Sequence, residues 1–93
     1  MDYKQAFGAV FRRLRTQKGL TQEQFQPMAS DRYIRNLEKG EYSPSLALVR
    51  DLSDGLEISP ITFMTLIEAE YTGTDTVRLL NQASGELFEL AHP

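Results

Sequence analysis

Along the first three-quarters of the chain, apolar residues recur at intervals of three and four, the spacing of a single stripe on an α-helix. Phe7, Val10, Phe11 and Leu14 stand at i, i+3, i+4 and i+7, which predicts a first helix with Arg12, Arg13 and Lys18 on its far face. Gly19, Gly40, Gly55 and Gly73 each follow a stretch of this kind, where a glycine just past a helix end is expected. Thr21 precedes Gln22-Glu23-Gln24, a capping-box pattern that opens a short second helix. Pro27 has no N–H to donate and disfavours helical geometry at Gln26, so this helix is expected to stop near Gln26. Ser30 caps a third helix from Asp31 to Lys39, with Ile34 and Leu37 facing inward. Ser43 or Ser45 opens a fourth, carrying Leu46, Val49 and Leu52 on one face. Ser59-Pro60, a cap followed by proline at the first helical position, opens a fifth that runs to about Thr72. No segment before residue 76 alternates long enough to read as a strand. Beyond it, Val77, Leu80, Ala83 and Leu87 fit a helical face that Gly85 interrupts, so residues 74–93 form an extension read as a helix, with a hairpin as the other option. The expected architecture is all-α: residues 1–73 as one five-helix domain and 74–93 as its C-terminal extension.

Charge adds a division that the overall net of −3 conceals. Residues 1–40 hold eight basic against four acidic side chains, a net of +4; residues 41–93 hold two against nine, a net of −7. One half is suited to an anionic partner and the other is turned away from it. With 93 residues the chain is one domain in length, and with no Cys it has neither disulfides nor Cys-based metal sites. No apolar run approaches the roughly 18 residues that span a bilayer. The first residues lack the charged-then-apolar pattern of an export signal, so a cytoplasmic setting without membrane association is expected.

Catalytic constellations are missing from the pattern. No His stands near a Ser or Asp, no glycine-rich phosphate loop occurs, and no metal-ligand cluster is legible, so no enzyme, cofactor, metal or small-molecule ligand is expected. What the spacing does form is two short helices joined by a tight turn between a first helix and two later ones, the layout of a helix-turn-helix DNA reader. On the helix capped by Ser30, Asp31, Arg32, Arg35 and Asn36 point away from Ile34 and Leu37. Arg pairs with guanine, Asn with adenine, and Asp accepts from cytosine. Arg12, Arg13, Tyr33, Lys39 and Tyr42 are candidates for the DNA backbone.

From Leu14 to Met64 the chain resembles the Cro/lambda-repressor-like, or Xre, family of helix-turn-helix regulators. The matching blocks are Lys18-Gly19-Leu20-Thr21-Gln22-Glu23, Tyr33-Ile34-Arg35-Asn36-Leu37-Glu38-Lys39-Gly40, Ser43-Pro44-Ser45-Leu46 and Leu56-Glu57-Ile58-Ser59. The resemblance implies that Asp31, Arg32 and Arg35 fall where the family reads bases, with Asn36 at the fringe. It implies that Gln22 contacts a phosphate or braces a reading side chain, and that Arg15 and Glu38 form an ion pair tying the first helix to the recognition helix. Most relatives carry about two more residues before that helix than the Gln26-Pro27-Met28-Ala29-Ser30 found here. Small phage repressors and restriction–modification controller proteins are similar in size and layout; an antitoxin, whose main partner is another protein, is the alternative use of the same fold.

The fifth helix carries more apolar residues than one inward stripe needs. Phe63 with Leu66 or Ile67 satisfies the core, which leaves Ile61, Met64 and Tyr71 as a candidate dimer interface. The extension from Thr74 to Leu90 either adds to that interface or, as the other option, caps the core of its own subunit. The expectation is a homodimer on a pseudo-palindromic site in double-stranded DNA.

Overall fold

Six segments follow one another in the computed structural model, which describes all residues from Met1 to Pro93. They are α1 (Tyr3–Gln17), a 3₁₀ helix (Gln22–Phe25), α2 (Asp31–Glu38), α3 (Leu46–Leu56), α4 (Pro60–Thr72) and α5 (Thr76–Ala91). Each α-helix starts at a polar cap whose side chain accepts an N–H from the first turn: Asp2, Ser30, Ser45, Ser59 and Asp75. Ser45, not Ser43, therefore opens α3.

The element opened by Thr21 is a single 3₁₀ turn. The capping box forms, with Thr21 accepting from the Gln24 N–H and Gln24 from the Thr21 N–H. Between the cap and Pro27 there is room for one turn only, and i→i+3 bonds close it. Gln26 keeps right-handed helical angles in spite of the proline after it, a departure from expectation. The chain turns after Gln26 instead, where Met28 and Ala29 donate back to the Phe25 carbonyl.

Phe7, Val10 and Phe11 of α1 meet Phe25, Ile34, Leu37, Leu52, Leu56, Phe63 and Ile67 in one buried cluster. The Phe11 ring stands edge-on to Phe25 and tilted against Phe63, at centroid distances of 5.1 and 6.4 Å. Leu14 and Leu66 are half-buried at its margin, and Leu46, expected to face inward, is exposed at the first position of α3. Gly55 also departs from expectation: it lies inside α3, and the left-handed residue after the helix is Glu57 (φ 60°). A Cβ on Gly55 would come within 2.6 Å of the Phe25 ring, so the glycine serves close packing of the short turn and not helix termination.

Gly8 does the same for α1 and α2. A Cβ there would collide with the Leu37 carbonyl oxygen, so only glycine lets α1 run this close to the end of α2. The tail is helical through Gly85, and its first turns pack on α4. No residue of α5 is buried.

Candidate nucleic-acid interface

Glu38, near the C-terminal end of α2, holds the helix pair in place. Arg15 of α1 donates to it twice, from Nε at 2.6 Å and from a terminal nitrogen at 3.1 Å, and donates its other terminal nitrogen to the Leu20 carbonyl at 2.9 Å. The two side chains are 13% and 5% exposed, which makes this a desolvated, two-pronged pair. Gln22 donates to the same carboxylate at 3.1 Å, so the 3₁₀ turn, α1 and α2 converge on one side chain. One N–H of the Gln22 amide is thereby committed inside the protein.

With that end anchored, the rest of α2 is oriented. Ile34 and Leu37 are fully buried. Arg32, Arg35, Asn36 and Lys39 stand at i, i+3, i+4 and i+7, one stripe on the opposite side. The three cations are exposed, and Asn36 is half-exposed. The molecule has two ion pairs, Arg15–Glu38 and Arg13–Glu70, and none of the three cations takes part in either. Asp31 stands to the side of this stripe, with its Oδ1 shut from solvent and unpartnered in the protein.

Tyr33 and Tyr42 stack face to face, with ring centroids 4.8 Å apart and planes 9° from parallel. Tyr42 also accepts a long bond from the Asn36 amide, 3.4 Å. The stack pins the loop after α2 back onto that helix. Burial, and then the neighbouring Tyr42, push the Tyr33 phenol above its ordinary value. The spacing of Tyr33 and Tyr42 in the sequence carries no sign of this contact, because it depends on how Gly40 (φ 81°) turns the chain.

The two adjacent arginines of α1 part company. Arg12 follows Gly8 by four residues and therefore shares the side of α1 that approaches α2; it is exposed and unpaired. Arg13 faces α4, where it binds Glu70 at 2.9 Å. At the start of α1, the Tyr3 hydroxyl donates to Glu68 at 2.6 Å, and the Tyr3 ring meets Tyr71 edge-on at 4.9 Å. Of the residues expected at a dimer interface, Tyr71 is thus partly used within its own chain and Met64 is half-buried against the core, while Ile61 is exposed. No group of three or more His, Asp and Glu side chains comes together in a way that could hold a metal ion. No helix is long and apolar enough to cross a membrane.

Comparison with known proteins agrees with this geometry. Residues 11–63 match the family described as helix-turn-helix. Over 76 residues the chain is 33% identical to a Sinorhizobium fredii (strain NBRC 101917 / NGR234) protein named as the uncharacterized HTH-type transcriptional regulator y4dJ, covering 80% of this chain and 99% of that protein. The crystal structure of the clp gene regulator ClgR from Corynebacterium glutamicum is similar in fold, with a TM-score of 0.71 at 22% identity over 100% of this chain and 97% of that one.

Proposed function

The chain belongs to the Xre-like helix-turn-helix family of DNA-binding transcriptional regulators, and from that premise we propose that it reads a specific double-stranded operator with α2. The observation that carries this reading is the stripe of Arg32, Arg35, Asn36 and Lys39, charged, outward and free of internal ion pairs. A cation that is unpaired within the protein is available to an anion outside it.

In this reading Arg32 and Arg35 take guanine edges and Asn36 an adenine edge. Asp31 offers its Oδ2 to a cytosine amino group, since its Oδ1 is turned inward. Lys39, Arg12 and the Tyr33–Tyr42 hydroxyls meet the phosphates that flank α2. Gln22 supports the reading side by holding Glu38, and Arg13 belongs to the α1–α4 contact. The acidic C-terminal half lies outside the DNA surface, and the protein acts in the cytoplasm. Two copies related by a two-fold axis set their α2 helices about one DNA turn, roughly 34 Å, apart on a pseudo-palindromic operator.

Binding-site selection from random duplex DNA, followed by fluorescence anisotropy at several salt concentrations, tests this. A defined consensus should emerge, and affinity should fall steeply with salt as condensed counterions are released. Failure to enrich any duplex, or a flat salt response, would overturn the reading.

A further inference from the structure

Asn36 is the one member of the outward stripe of α2 whose side chain has a partner inside the protein. Its amide nitrogen donates to the Tyr42 hydroxyl at 3.4 Å. The chain that carries Tyr42 back to this point is closed by the backbone. The Gly40 N–H donates to the Leu37 carbonyl at 3.0 Å and the Glu41 N–H to the Asn36 carbonyl at 3.1 Å, with Gly40 left-handed at φ 81°. This is the Schellman closure of a helix end. Asn36 therefore meets the returning chain twice, through its carbonyl at Glu41 and its amide at Tyr42. Tyr33, one turn before Asn36, grips the Tyr42 ring from the side at 4.8 Å and 9° from parallel, and Tyr42 itself stays exposed.

A phenol has one proton to give and lone pairs to accept with, whereas a carboxamide has a donor end and an acceptor end. Which end of the Asn36 amide lies against Tyr42 is thus decided by where the Tyr42 proton goes. With that proton given to a phosphate, the hydroxyl can only accept from Asn36, and the amide nitrogen must face it. One N–H and Oδ1 then remain for a base. Adenine offers the N7 acceptor and the N6 donor, which match that pair; guanine offers N7 and O6, both acceptors, so O6 would stand against Oδ1. Turned the other way, with Oδ1 accepting from Tyr42, the amide would offer a base only its N–H groups and favour guanine.

We infer that Tyr42 is a positioning residue that sets specificity: its hydroxyl, donating to a phosphate and accepting from Asn36, fixes the amide in the orientation that selects adenine over guanine. This role rests on the reading of α2 as the base-contacting helix, and adds to it a residue outside α2 that touches no base. A contact to the DNA backbone, which carries no sequence information of its own, is converted here into a base preference.

Site selection and competition anisotropy, with operators changed one base pair at a time, read these preferences. Asn36→Ala identifies the base pair that the amide contacts, as the position whose preference that variant removes, and in wild type this base should be adenine. Tyr42→Phe keeps the ring and its stack but lacks the hydroxyl. It should lower the adenine-over-guanine preference at that position by about five- to tenfold, the worth of one hydrogen bond. Loss of its phosphate contact should weaken all duplexes alike and leave the preferences set by Arg32 and Arg35 as they were. Tyr42→Phe added to Asn36→Ala should change no base preference, and Tyr33→Phe, which retains the stack, should match wild type at the Asn36 position. A purely structural part for Tyr42 would instead lower the melting temperature and blur every position together. The inference is overturned by an unchanged adenine preference in Tyr42→Phe, by a base other than adenine at the Asn36 position, or by an Asn36→Ala variant with no altered position. In each of those cases, relaxation at one position by Arg35→Ala leaves the reading of α2 standing. Failure of wild-type protein to enrich any duplex overturns both.

Discussion

At the scale of single residues, Arg15 and Arg35 show how position decides what a guanidinium does. Both are in helices of the basic half, but Arg15 is 13% exposed and locked in a forked contact with Glu38, whereas Arg35 is exposed. Removing Arg15 strands a nearly buried carboxylate with only Gln22 to satisfy it. Arg15→Ala should therefore destabilise the fold by about 2–4 kcal/mol and leave the selected DNA consensus unchanged. Thermal denaturation and repeated site selection check both halves of that statement. Arg32→Ala and Arg35→Ala should each cost about 1–3 kcal/mol of specific binding and relax preference at one base position. Arg12→Ala should weaken binding to all sequences alike, and competition anisotropy with single-base operator variants separates the two patterns.

At the scale of elements, two helical glycines with the same intrinsic propensity should respond in opposite directions. Gly8 has the Leu37 and Glu38 carbonyls directly against the place where a Cβ would go, and a backbone carbonyl cannot swing aside as a side chain does. Gly8→Ala should push α1 off α2 and cost about 1–3 kcal/mol of stability. Gly85 sees open space in the middle of α5, so Gly85→Ala should stabilise that helix by about 0.5–1 kcal/mol. Chemical denaturation of the two variants beside wild type measures both signs. The same comparison explains why Gly85 did not end the helix: nine residues of α5 precede it and six follow, and an interior glycine costs only about 1 kcal/mol.

At the scale of the whole molecule, the α1–α4 contact ties the first helix to the one that carries α5. Its polar bonds are Tyr3–Glu68 and Arg13–Glu70. Burial, then the bond to Glu68, hold the Tyr3 phenol well above the ordinary tyrosine value of 10.0. The folded state therefore retains this proton at pH values where the unfolded chain has released it. Stability contributed by the neutral phenol is fully present below pH 10.0 and is lost as the pH rises beyond it. Tyr33 is displaced in the same direction and adds to the same alkaline limb. Tyr3→Phe should cost about 1 kcal/mol near neutrality, by loss of the hydrogen bond, and should make the alkaline decline shallower. Denaturation at a series of pH values from 8 to 11, about the tyrosine value, shows whether the two curves converge.

What the sequence determined by itself is what local chemistry can determine. Caps at Thr21, Ser30, Ser45 and Ser59 each act within three residues, and the apolar stripes of α1 and α2 act within one helix, so the helices and their inward faces could be read directly. The face of α2 opposite Ile34 and Leu37 follows from the same periodicity, which is why Arg32, Arg35 and Asn36 could be named as candidates before any tertiary contact was known. Only the tertiary structure decided where the helices cross. It put Arg13 against Glu70 while leaving Arg12 free, placed Gly55 under the Phe25 ring, stacked Tyr33 on Tyr42 and drew Tyr71 onto Tyr3. Each of these contacts depends on the angle between two elements, which no spacing within one element encodes. The apolar face of α5 belongs to both levels: its periodicity is written in the chain, but that its own chain leaves it uncovered is a property of the assembled body alone.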